Sequence, residues 1–182
     1  AEDEVVEDWS KDGKYIAFEC GKDQFQDICA APMEGGKPGK PFPVVQGQNR
    51  KDEPQFSYDG KWIAYTSDSK FEVFVQSFPS GDVKLQISRE GGGQPRWRRD
   101  GKELYFRTLD NRHMAVDIAL GARIEPGIPH QLFTSSTTGT TSMDPMRHMW
   151  AALPDGQHFL TRVATTARSA GAGLDGSGTG NN

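Results

Sequence analysis

Three arginines crowd one aromatic residue: Arg96, Arg98 and Arg99 flank Trp97. A guanidinium offers a planar fork of donors that grips a carboxylate or phosphate through two parallel bonds. Near a channel mouth, such a group would hold an anion. The other reading is ion pairing with acids of the next structural unit, and Asp52-Glu53 stands in a comparable approach. Four histidines, His113, His130, His148 and His158, could serve as bases or metal ligands. None is spaced as His-x-His or His-Glu-x-x-His, so surface or half-buried positions are the expectation, with no metal and no cofactor. His148 and Trp150 follow an uncharged run, Thr134 to Ser142, and stand among Met143, Met146 and Met149. Methionine-rich surfaces adapt to protein partners. His148 and Trp150 therefore join the arginines as candidate ligand-binding residues. The plainer reading is a mobile loop followed by a strand. No residue set forms a catalytic motif.

Cys20 and Cys29 are the two cysteines. They flank an expected hairpin turn, Gly21 to Ile28. A symmetric hairpin sets them opposite each other, within reach of a disulfide. Comparison with the next repeat shifts the register by two residues and sets them diagonally. On that register two small buried side chains are the preferred reading.

The elements that would position these residues come from an internal repeat. Trp9-Ser10-Lys11-Asp12-Gly13-Lys14-Tyr15-Ile16-Ala17-Phe18 returns as Phe56-Ser57-Tyr58-Asp59-Gly60-Lys61-Trp62-Ile63-Ala64-Tyr65. It returns again as Trp97-Arg98-Arg99-Asp100-Gly101-Lys102-Glu103-Leu104-Tyr105-Phe106. A weaker copy runs from Ala152 through Asp155-Gly156 to Leu160. The Asp-Gly pairs lie 47, 41 and 55 residues apart, the period of a four-stranded propeller blade. Apolar residues alternate with period 2 and favour β-branched and aromatic types, which is strand chemistry. Each pair, Asp12-Gly13, Asp59-Gly60, Asp100-Gly101 and Asp155-Gly156, reads as a tight turn between the first two strands of a blade. Asp caps local backbone amides there, and Gly takes a positive φ. The aromatic residue three before each Asp (Trp9, Phe56, Trp97) would fill the space between blades.

The strings Glu53-Pro-Gln-Phe-Ser-Tyr-Asp-Gly-Lys-Trp-Ile-Ala-Tyr-Thr-Ser and Gly93-Gln-Pro-Arg-Trp-Arg-Arg-Asp-Gly-Lys-Glu-Leu-Tyr-Phe resemble the WD-type repeats of TolB-like β-propellers. They are especially similar to the propeller sensor regions of bacterial serine/threonine kinases. The resemblance implies an all-β fold of antiparallel four-stranded blades: three full blades and a partial fourth over residues 1–163, then a flexible Gly/Ser/Thr-rich tail, 164–182. It also implies a periplasmic or extracellular scaffold or sensing module that binds a protein partner or a small polar ligand. A propeller-type hydrolase or lyase acting on a carbohydrate or ester at the channel mouth is the alternative. Neither a kinase signature nor a Gly-x-Ser-x-Gly elbow is present.

Composition sets limits. The chain has 182 residues and a net charge of −4, which argues against nucleic acid as a partner. No apolar run approaches the 18 residues of a membrane span, so no membrane insertion is expected. The opening Ala1-Glu2-Asp3-Glu4 fits a product of signal cleavage, or equally a trimmed boundary. So short an array must manage open blade edges. It would do so as a fragment, as a four-bladed ring in which Glu2 to Glu7 adds a strand to blade four, or as a homodimer through open edges.

Overall fold

A computed structural model describes residues 6–22, 25–67, 71–120, 123–135 and 150–161. The first blade holds β1 (Val6–Trp9), β2 (Tyr15–Lys22), β3 (Phe25–Glu34), β4 (Lys37–Pro38) and β5 (Phe42–Val45). The second holds β6 (Lys51–Phe56), β7 (Trp62–Ser67), β8 (Glu72–Ser77) and β9 (Lys84–Gln86). The third holds β10 (Gly93–Trp97), β11 (Glu103–Arg107), β12 (Arg112–Leu120), β13 (Ile124–Pro126) and β14 (His130–Thr134). A fourth unit is the hairpin β15 (Trp150–Ala152) and β16 (Phe159–Thr161). All pairs are antiparallel and each sheet meanders outward from its first strand. The short β4 and β13, which the repeat does not announce, extend β3 and β12 beyond the main sheets.

Period-2 alternation builds the stack. On β7, Ile63 and Tyr65 face the first blade, where they join Ala17, Ile28 and Ala30 together with Phe56 of their own blade. Trp62 and Ala64 face the third, with Leu104, Phe106 and Val116. Every residue of β7 is therefore buried, as in a strand covered on both faces. Tyr105, Ala115 and Trp150 form a smaller core between the third blade and the last hairpin.

The repeated aromatic behaves unevenly. Phe56 is 4% exposed and meets Phe78 edge-on at 4.9 Å. Trp97 is half-buried against the second blade, and its Nε1 donates to the Gln55 carbonyl at 3.1 Å. Trp9 departs from the expectation at 50% exposed. Phe56 and Trp97 each pack on the blade before their own, whereas Trp9 belongs to the first described blade.

Two further expectations are corrected. Val6 and Glu7 do not serve the fourth unit: β1 pairs with β2, with Val6 opposite Phe18. Cys20 and Cys29 are not two separate thiols but a disulfide. The register sets Phe18 opposite Cys29 and Cys20 opposite Asp27, so the cysteines are diagonal neighbours on one face. Their Cα atoms are still only 5.8 Å apart, inside the disulfide range. The tail 164–182, the segment 136–149 and residues 1–5 lie outside the described residues. No helix among the described residues is long and apolar enough to cross a membrane.

Candidate functional site

The four hairpins that join first and second strands are copies of one turn. The glycine N–H returns to the carbonyl three residues earlier: Gly13 to Ser10, Gly60 to Ser57, Gly101 to Arg98 and Gly156 to Leu153, at 2.8–3.0 Å. Each glycine has φ between 67° and 74°, where a Cβ would be strained. The Asp side chain braces the turn. Asp12 accepts from Ser10 Oγ at 2.8 Å and from Lys14 N at 3.1 Å. Asp59 repeats this with Ser57 and Lys61. Asp100 holds Lys102 N, and Asp155 holds Gln157 N. These aspartates are scaffold.

The second residue of each turn is what the scaffold presents. Those residues are Lys11, Tyr58, Arg99 and Pro154, and all four line one cavity of about 400 Å³. Trp97, Ala152 and Leu153 complete its wall. Four hairpins from four sheets thus open onto one mouth. Lys11, Tyr58 and Arg99 are exposed there. None of Lys11, Tyr58 and Pro154 stands out by type alone. What marks them is a shared place in the repeat, one residue before the aspartate.

The predicted arginines separate into three roles. Arg99 reaches the cavity. Arg98 holds its own blade together, with Nη2 3.1 Å from Asp100 and Nη1 3.2 Å from Glu103. Arg96 is half-buried on β10. The Glu53 and Asp8 carboxylates and Glu7 offset part of its burial penalty, although burial still pulls its pKa below the ordinary value. Glu53 and Asp8 in turn tie inner strands together. Phe56 N donates to Asp8 Oδ2 at 2.7 Å, and Gln94 N donates to Glu53 Oε2 at 2.7 Å. Burial raises both carboxyl pKa values, and these donors and nearby cations oppose the rise. A register shift marks the inner strand of each of these three blades. At two of them a residue preceding proline, Glu53 or Gln94, takes a positive φ of 58° or 55°. This is a strained conformation for a residue with a Cβ.

Trp150 is not available to a ligand. It is 3% exposed and lies edge-on to His113, ring centres 5.0 Å apart. His113 is likewise a core residue, 1% exposed, stacked on Phe133 at 4.4 Å. Its placement departs from the surface or half-buried expectation because β12 lies between β11 and β14. Burial pulls its pKa down to about 4, helped by the Arg107 charge. His130 is exposed, and His158 Nδ1 lies 2.6 Å from Asp155 on the hairpin tip. His148 lies outside the described residues, as do Met143, Met146 and Met149. Among the described residues no three His, Cys, Asp or Glu side chains gather as a metal site would require.

Comparison with known proteins bears on the fold. No family model matches the chain. An uncharacterized protein of Agrobacterium fabrum is 37% identical over 60 residues, which are 32% of this chain and 19% of that protein. The TolB structure from Acinetobacter baumannii superposes with a TM-score of 0.60 at 17% identity, covering 86% of this chain and 37% of TolB. The periplasmic gluconolactonase PpgL of Pseudomonas aeruginosa gives 0.56 at 15% identity, covering 83% of this chain and 47% of PpgL. The chain spans less than half the length of either structure. Identities this low speak to architecture alone. In its repeat, its meandering antiparallel sheets and its structural neighbours, the chain is an array of β-propeller blades, similar in fold to those of TolB and PpgL.

Proposed function

We propose that this chain is a non-catalytic recognition module of the periplasm or cell exterior, binding a protein partner or small polar ligand at the hairpin mouth. One observation carries the reading: equivalent turn residues of four sheets, Lys11, Tyr58, Arg99 and Pro154, surround a single cavity. A concave site with a few convergent polar groups is the usual form of a binding site. Hydrogen-bonded turns fix the backbone beneath these side chains, so their attachment points are set before binding. The acids nearer the inner strands support the same reading, since Asp8 and Glu53 each accept a backbone N–H that holds the array together. The Cys20–Cys29 disulfide supports an oxidising compartment. Self-association through blade edges belongs to the same proposal and is read from the solution mass.

Similarity to a lactonase in fold favours an enzymatic second reading only at the level of architecture. The test is a mixed library of sugars, esters, peptides and small anions, screened by protein-observed NMR. Binding without turnover, with shifts at Lys11, Tyr58 and Arg99, is the expected result. Turnover of any bound ester or glycoside, or binding confined to other surfaces, would overturn the reading.

A further inference from the structure

Resting on the hairpin mouth as the binding surface, we infer its ligand class: a small molecule that joins one carboxylate or phosphate to a flat ring. Charge is the first argument. The chain is net negative at −4, yet the charged residues lining this cavity are Lys11 and Arg99. The turn acids beside them are engaged elsewhere. Asp12 pairs with Lys14 at 3.1 Å, and Asp100 pairs with Arg98 at 3.1 Å. Neither Lys11 nor Arg99 has an ion-pair partner among the described residues. Lys11 acts on Asp8 only at longer range, and Asp8 Oδ2 already accepts from Phe56 N. An anion entering the mouth would therefore meet two cations that make no close ion pair among the described residues, Arg99 without a carboxylate partner and Lys11 sensing Asp8 only beyond ion-pair distance.

The ring is the second argument. Where the first and third blades place a cation at the turn, the second places Tyr58, 45% exposed. Trp97 stands in the same wall, its indole oriented by the bond from Nε1 to the Gln55 carbonyl. Tyrosine and tryptophan give large rigid contact area and stack well on planar or pyranose rings. Leu153 and Pro154 add an apolar wall. Size is the third argument. Hairpins bound the cavity on several sides, and about 400 Å³ lies within the range of small-molecule sites.

Calorimetry on the whole chain tests this with benzoate, nicotinate and phenyl phosphate as probes. Benzyl alcohol serves as a ring without charge, acetate and inorganic phosphate as charge without a ring, and an acidic hexapeptide as the rival occupant. At least one ring anion is expected to bind about tenfold tighter than its ring-only and charge-only counterparts. Whether phenyl phosphate or the carboxylates lead identifies the acid group. Lys11→Gln with Arg99→Gln should weaken the ring anion about tenfold or more, because each cation contributes a charge-assisted bond. Tyr58→Ala should weaken the ring anions several-fold more than inorganic phosphate or acetate, removing the advantage of the ring. Both sets alter exposed turn tips, so an unaltered melting temperature confirms that each variant folds.

Equal binding of benzyl alcohol, or preference for the hexapeptide, with NMR shifts at the mouth would sink the ligand class and leave the recognition reading standing. Failure of every ring anion to bind, or binding that the variants do not weaken, would likewise overturn the inference.

Discussion

Glu53 of the second blade accepts the backbone N–H of Gln94 in the third at 2.7 Å, and the Thr66 hydroxyl at 3.0 Å. One carboxylate thus joins two inner strands where the chain bulges at Glu53 and at Gln94. Glu53→Ala removes the one oxygen that accepts both bonds, leaves Gln94 N only its 3.2 Å bond to Thr66 Oγ1, and should cost roughly 1–3 kcal/mol, the scale for losing a buried charged acceptor. Glu53→Gln keeps one acceptor oxygen and should cost less. Burial raises this carboxyl pKa, so ionisation there opposes folding, and a neutral amide avoids that term. Urea unfolding at neutral pH ranks the three proteins. Equal stability of all three would contradict the assigned role.

The disulfide closes a short loop, since Cys20 and Cys29 are nine residues apart. Loop-closure entropy for that length is roughly 2–3 kcal/mol. Reduction, or a Cys20→Ser and Cys29→Ser double variant, should lower stability by about that much. Chemical denaturation with and without reductant reads the difference, and an unmoved midpoint would count against the staple.

His113 carries a pH dependence. Its pKa in the folded chain is about 4, against an ordinary value near 6.5. The fold therefore favours the neutral ring. Stability should be full above about pH 6.5, fall as the pH drops, and level off below about 4, losing on the order of 3 kcal/mol in all. His113→Gln should flatten that part of the profile. Unfolding free energies between pH 7.5 and 4 for both proteins give the comparison, and parallel profiles would refute it.

Two hairpin glycines with the same backbone separate shape from packing. Gly60 has φ +68° and open space where a Cβ would stand, whereas a Cβ on Gly156, φ +67°, would lie 2.7 Å from Tyr105 Oη and 3.0 Å from Arg98 Cδ. Gly60→Ala should cost about 1 kcal/mol, the left-handed penalty alone. Gly156→Ala should cost more and displace the last hairpin from the third blade. Thermal melts, with NMR shifts of Tyr105 as a local readout, test the ordering. Equal costs would mean that the contact is slack.

The strand pattern could be read directly because it is local. The β-rich run Trp62 to Ser67 announces a strand, and Asp59-Gly60 announces its turn, since both depend on residues a few positions apart; that the strand is covered on both faces comes from the stacking. The cysteines mark the edge of this legibility. Their diagonal register follows from comparing repeats, but whether a diagonal pair can bond is a matter of a few ångströms that twist and bulging decide.

What the amino-acid order determined by itself is the blade: where its main strands lie, which face is apolar and which residue turns the chain. Only the tertiary stacking decided the fates of Arg96, Arg98 and Arg99, three near-neighbours in sequence. The first sits among the acids of earlier blades, the second pairs within its own blade, and the third opens onto the mouth. Successive side chains on a strand and its turn point in different directions. What each one meets is set by sheets some forty residues away in the chain, which no local pattern encodes.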